Sequence, residues 1–208
     1  IAHSSNVGTI KIAQKLGEKP LYKYSRDYGF GTSTGIRFTG EVQGVLRKTK
    51  DWSDMSLAEV SIGYEVAITA LQLASAYSAI ANGGVLLKPR LVKQILSQEG
   101  KIVYTENPEV IRRVASKEIM STITDILVQV VNSGTGTKAD IQGWSVAGKT
   151  GTAHKFIDGE YSKNKYISNF AGFFPAENPQ VVCVIVLDEP RYGLHWGGYG
   201  AAPVFKRV

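Results

Sequence analysis

Cysteine is almost missing from this sequence. Cys183 stands alone, so no disulfide can form within the chain. It lies in the apolar run Val181 to Leu187, where a small buried hydrophobe is the default, and no histidine stands near enough in sequence to activate it. The three histidines are scattered and offer no metal-ligand spacing. Nothing approaches the ~18 uninterrupted apolar residues of a membrane span. The first residues read as a capped helix and not as a signal peptide. Dense charge runs are lacking too: the basic residues stand singly, without interleaved aromatics, so the net charge of +6 reads as a basic surface and not as a nucleic-acid site. There is no internal repeat and no low-complexity linker. What remains, 208 residues with 43% hydrophobic and 20% charged, suits one domain with a sizeable core, or at most two small ones.

The chemistry-bearing stretch is Ala147-Gly148-Lys149-Thr150-Gly151-Thr152-Ala153. From Trp144 to His154 the side chains follow a two-residue period, which predicts a strand. On that strand the Lys149 ammonium and the Thr150 and Thr152 hydroxyls fall on opposite sides. Gly148 and Gly151 remove Cβ where another backbone would come close. Such a ribbon suits an extended, anionic ligand. The same letters also fit a phosphate-binding loop, G-x-x-x-x-G-K-[ST], from Gly143 to Thr150, and the run from Val181 ends in Asp188-Glu189 like a magnesium-binding strand. The context is wrong for that reading. Loop residues Ser133 to Lys138 precede Gly143, and no helical stripe follows Thr150.

Elsewhere the pattern predicts an α+β domain. Asn6 to Leu16 has Val7, Ile10, Ala13 and Leu16 at helical spacing, with Gly17 as its stop. Glu18 to Tyr28 is a second helix. Thr32 to Ser53 reads as irregular. Ser56-Leu57-Ala58-Glu59 and Thr69-Ala70-Leu71-Gln72 are capping boxes that open two more helices. Leu91 to Leu96 and Lys101 to Thr105 form a hairpin around Gln98-Glu99-Gly100. Ser116 caps a helix through Val131, with Ile119, Ile123, Ile126, Leu127 and Val130 as its apolar face. A polar loop holds Tyr161 to Lys165, and strands run from Ile167 to Phe174 and from Val181 to Leu187. A Gly-rich turn then leads into Ala201-Ala202-Pro203-Val204-Phe205.

Ser4-Ser5-Asn6 is an S-x-N triplet and Lys149-Thr150-Gly151 a K-T-G triplet, two of the three signatures of serine β-lactamases and penicillin-binding proteins. Helix capping would account for Ser and Asn at the mouth of the first helix equally well. Between and after the triplets, Tyr28-Gly29-Phe30-Gly31, Thr34-Gly35-Ile36, Leu71 to Ala74, Ala79 to Gly84, Gly134-Thr135-Gly136, Phe170 to Pro175 and Gly197 to Phe205 come in one order. That text resembles the class B penicillin-binding proteins, the cell-division transpeptidases above all. The family has proline where this chain has Ala70, a neutral change at a helix start.

The resemblance implies a penicillin-binding, serine β-lactamase-like fold: an antiparallel sheet flanked by helices. It implies D,D-transpeptidation of peptidoglycan stem peptides by serine acyl transfer, without a cofactor or metal. Ser4, Asn6 and Lys149 would be catalytic, and Thr150, Gly151 and Thr152 would bind substrate. Ser4 would relay a proton, Asn6 would hold the substrate carbonyl, and the Thr152 amide would be half of an oxyanion hole. The implied partners are stem peptides, the lipid-linked glycan precursor, β-lactams and cell-division membrane proteins, with no nucleic acid. The implied location is the outer face of the cytoplasmic membrane. The family's S-x-x-K serine has no counterpart, because the one match, Ser162-Lys163-Asn164-Lys165, follows the K-T-G triplet in a polar loop. Residues 1–208 are therefore expected to be the C-terminal portion of one transpeptidase domain, cut at both ends and inactive alone. A wall-peptide-binding module without catalysis, and a nucleotide hydrolase, are the alternatives. His154 and Gly134-Thr135-Gly136 either flank the cleft or are merely solvated.

Overall fold

The computed structural model describes residues 1–208. Helix α1 (Asn6–Leu16) is capped by Ser5, whose Oγ accepts the Gly8 amide at 3.2 Å, and ends at Gly17 with φ 87°. Helix α2 (Glu18–Asp27) follows directly. A small lobe comes next, in which β1 (Val45–Leu46) precedes α3 (Ser56–Ser61) and pairs antiparallel with β2 (Val66–Ala67). Helix α4 (Ala70–Ala81) opens with a complete capping box between Thr69 and Gln72. Strand β3 (Val85–Leu87), the hairpin of β4 (Gln94–Leu96) with β5 (Ile102–Thr105), and β6 (Val110–Arg113) lead to α5 (Lys117–Ser133), with β3 paired to β6. Strands β7 (Ala147–Ile157), β8 (Glu160–Phe174) and β9 (Val181–Asp188) then form an antiparallel sheet in that order, and α6 (Ala201–Arg207) closes the chain.

Both faces of the β7-β8-β9 sheet are covered. On one, Val146 and Phe170 pack with Val131, Ala139 and the α6 residues Ala201, Ala202 and Phe205. On the other, Ala147 and Phe173 pack with Leu127 and Ala176, and with Tyr77 and Ile80 of α4. The register pairs Ala147 with Phe173 and Thr150 with Phe170. By the pleat, Lys149 therefore belongs to the α4 side, and Thr150 and Thr152 to the α6 side. Only β8 is hydrogen-bonded to β7, so the other edge of β7 has no strand partner.

Gln72 ties the irregular stretch after α2 to this frame. It is 1% exposed. Its Oε1 accepts the Thr69 amide at 2.9 Å, and its Nε2 donates to the carbonyls of Thr32 at 2.7 Å and Gln43 at 2.8 Å. One amide thus satisfies backbone groups that have no sheet or helix of their own.

The α+β architecture, the caps at Thr69 and Ser116 and the hairpin around Gly100 are as the sequence indicates. Several expectations differ. Ser56 does not cap α3; its Oγ accepts the Ser53 amide at 2.9 Å in the preceding turn. In α5 the buried positions are Met120, Leu127, Val130 and Val131, and Ile119 is exposed, because the sheet and α4 meet a face rotated from the most regular apolar stripe. In α1 only Ala13 is buried, while Val7 and Leu16 stay exposed. Trp144 lies in a turn bridged to Ile141, ahead of β7. The polar segment Tyr161 to Lys165 starts β8, because Phe156 and Ile157 pair with Tyr161 and Glu160 to extend the hairpin. The last segment, from Ala201, is already helical.

Gln72→Leu keeps the side-chain volume and strands these backbone groups. We expect a loss of about 3 kcal/mol, read as a fall in melting temperature of roughly 6–12 °C in thermal denaturation of the protein.

Candidate active site

Ser4 precedes the cap residue of α1 and adopts φ 52°, a left-handed backbone that costs a serine about 1 kcal/mol or more. Its amide donates to the Ile1 carbonyl at 3.0 Å, closing a tight turn. Ser5 does the capping, so the Ser4 hydroxyl is spare. It is met from across the chain: Lys149 Nζ donates to Ser4 Oγ at 3.1 Å, 145 positions away in sequence. Asn6, the first residue of α1, is exposed, and its side chain has no hydrogen bond.

Lys149 Nζ has two further acceptors, the Thr150 carbonyl at 2.8 Å and Thr150 Oγ1 at 3.2 Å. All three protons of the ammonium are used, and every acceptor is neutral. No carboxylate balances the charge. Burial alone pushes the Lys149 pKa down to about 8. The sequence pattern places this ammonium on the side of the strand away from the Thr150 hydroxyl. In the structure the four-carbon stem turns around the free edge of β7, so amine and hydroxyl meet.

The Thr150 carbonyl reaches Lys149, so it points out from the free edge of β7. The period of two then aims the backbone groups of Thr152 at the same edge. The two threonine hydroxyls are also held. Thr150 Oγ1 lies 2.6 Å from Thr135 Oγ1, and Thr152 Oγ1 accepts the Gly197 amide at 2.9 Å. Gly151 contributes clearance: a Cβ there would lie 2.6 Å from the Asn169 side-chain amide. Ser4, Lys149, Thr150 and Thr152 thus line one open strand edge, with a positive charge and hydroxyl donors along it. The arrangement can bind an extended peptide as an added strand and hold a carboxylate at the hydroxyls.

A phosphate loop is excluded by this geometry, since Thr150 continues a strand where that motif needs a helix to open. Asp188 and Glu189 are both taken up by Lys155, at 2.8 and 2.9 Å. The Ser162 hydroxyl accepts the amides of Asn164 and Lys165 in the first part of β8, so that S-x-x-K match is a local turn. His154 lies on β7, its Nδ1 donating to the Ser162 carbonyl at 2.7 Å and its ring against Tyr166. Thr135 and Gly197 are the residues whose part is not evident from spacing. Both lie in stretches that carry the family resemblance, and Gly134-Thr135-Gly136 is a candidate flank of the cleft, but no feature of the sequence indicates the contact that either residue makes.

Comparison with known proteins bears on this site. The family model for the penicillin binding protein transpeptidase domain matches residues 1–208. A Neisseria meningitidis protein named "Probable peptidoglycan D,D-transpeptidase PenA" is 38% identical over 206 residues, 99% of this chain and 34% of its own length. Stage V sporulation protein D of Bacillus subtilis is 37% identical over 209 residues, 100% of this chain and 32% of its own. Penicillin binding protein 3 of Mycobacterium tuberculosis, solved in complex with aztreonam, superposes with a TM-score of 0.89 at 35% identity, covering 99% of this chain and 48% of that one. The chain thus spans about a third of the length of the curated relatives it matches. An open strand edge bearing an unbalanced lysine, opposite a serine at a helix mouth, sits within a match that runs from the first residue to the last, and the chain belongs to the penicillin-binding protein transpeptidase domain family.

Proposed function

We propose that the full-length protein is a peptidoglycan D,D-transpeptidase, and that these 208 residues are the part of its domain that binds the substrate and moves protons. The observation that carries the reading is the Lys149–Ser4 hydrogen bond at 3.1 Å, which joins the K-T-G strand to the S-x-N turn. The relatives support it by name, one as a D,D-transpeptidase and one as a penicillin-binding protein solved with a β-lactam. The nucleophilic serine and its lysine would come from a segment outside these residues.

The chemistry follows from the hydrogen-bond directions. The serine attacks the carbonyl carbon of the penultimate D-alanine, the C–N bond breaks, and D-alanine leaves with a proton. Ser4 Oγ accepts from Lys149, so its own proton is free to go to the departing nitrogen. An amine of a neighbouring stem peptide then attacks the ester and frees the serine. Thr150 and Thr152 receive the terminal carboxylate, the Thr152 amide takes the oxyanion, and Asn6 takes the substrate carbonyl as it enters. The charge on Lys149 draws the carboxylate and lowers the proton affinity of the family's nearby lysine. Stem peptides and β-lactams are the ligands. The lipid-linked precursor, cell-division membrane proteins as partners, and a location on the outer face of the cytoplasmic membrane are part of the same proposal.

Covalent labelling of the full-length protein by a fluorescent penicillin tests this. Labelling is expected in the wild type, and Lys149→Ala should slow it about 100-fold, in the range of a lost transition-state donor. A protein that binds the penicillin without a covalent product is instead the non-catalytic module.

A second prediction concerns pH. Lys149 is charged below its pKa of about 8 and loses its proton as pH rises through it. The labelling rate should therefore fall along an alkaline limb near pH 8. Lys149→Arg, charged at every accessible pH, should abolish that limb even where its rate is lower.

A further inference from the structure

Thr135 is not part of either motif, yet both halves of the site are referenced to it. Its amide donates to the Ala2 carbonyl at 3.1 Å, which holds the turn that carries Ser4. The fit there is tight: a Cβ on Gly134 would lie 2.2 Å from that same carbonyl oxygen. On the far side, a Cβ on Gly198 would lie 2.4 Å from the Thr135 carbonyl. The backbone of Thr135 is wedged between two segments, and its hydroxyl sits 2.6 Å from Thr150 Oγ1.

A threonine hydroxyl has one proton and two acceptor sites. Lys149 Nζ already donates to Thr150 Oγ1, at 3.2 Å. If Thr150 gave its proton to Thr135, none would remain for an anion. If Thr135 donates instead, both acceptor sites of Thr150 are filled and its own proton has to point outward. Thr152 Oγ1 accepts the Gly197 amide at 2.9 Å, which fills one of its acceptor sites and leaves its proton available. A carboxylate needs two such outward donors side by side.

We infer that Thr135 is a positioning residue that donates to Thr150, making Thr150 an obligate proton donor and selecting ligands that end in a carboxylate. This rests on the transpeptidase reading and goes beyond it by naming the residue that sets the direction of the hydrogen bond. It adds no chemical step. Its effect is on recognition of the anion and not on the bond being broken.

The test compares a penicillin with its neutral methyl ester on the full-length protein, in wild type, Thr135→Val and Thr135→Ser. Valine keeps the shape and removes the hydroxyl; serine keeps the hydroxyl. With the acid, Thr135→Val should lower the second-order labelling rate about tenfold, through weaker binding at an unchanged limiting rate. Thr135→Ser should stay within about twofold of wild type, and with the ester all three proteins should agree within about twofold. An unchanged rate for Thr135→Val with the acid, an equal loss with acid and ester, or a serine variant as slow as the valine variant overturns the inference while the transpeptidase reading stands. A folded wild type labelled by neither compound overturns the transpeptidase reading, and this inference with it.

Discussion

A half-buried ammonium without a counter-ion governs this structure. Lys149 is surrounded by three neutral oxygens, and the cost of removing its charge from water appears as a pKa lowered to about 8. A protein that needed only stability would put a carboxylate there, or a neutral side chain. In the transpeptidase reading proposed above, the charge is left for an incoming anion to balance. Around it, Ser4 and Thr150 accept from Lys149 and Thr152 accepts the Gly197 amide, which in the same reading leaves their hydroxyl protons to an anion. The strand that carries Lys149 is likewise kept at the open edge of the sheet, where backbone groups are free to meet a ligand.

The rest of the chain keeps that edge in place. Phe170 and Phe173, both fully buried, anchor β8 to the helical layers on opposite faces, and the β7–β8 register transmits their position to Thr150 and Ala147. Gln72 fastens the loop after α2 to the start of α4. The turn bearing Ser4 is fixed by Thr135, so the two motifs are aligned through a third segment between them in sequence.

Much of this was legible in the residues. The caps at Thr69 and Ser116, the glycine stop at position 17, and the two-residue alternation of the K-T-G strand each follow from a local rule, and local rules survive in the fold. The failures have one physical origin, which is tertiary contact. Ser56 has the sequence of a cap, but the Ser53 amide is the nearer donor. Ile119 has helical spacing, but nothing packs over it. Tyr161 to Lys165 look like a loop because they are polar, yet pairing with the end of β7 draws them into the ladder. The meeting of Lys149 with Ser4 came from the triplets and not from periodicity, which placed the ammonium apart from the hydroxyl it touches. No local rule marks Thr135, because its importance lies in what stands on either side of it in space.

The glycines around the edge of β7 have an evolutionary consequence. A cleft is most simply closed to an unwanted inhibitor by gaining a methyl group on its wall. Here two of the wall positions next to the hydroxyls forbid that route, against backbone, and a third allows it only if a side chain moves. A Cβ on Gly151 would meet the Asn169 side chain at 2.6 Å, one on Gly197 the Asn169 carbonyl at 2.4 Å, and one on Gly198 the Thr135 carbonyl at 2.4 Å. Adaptation that spares the scaffold therefore has to proceed through residues that already bear side chains, or through the loops farther along the ribbon.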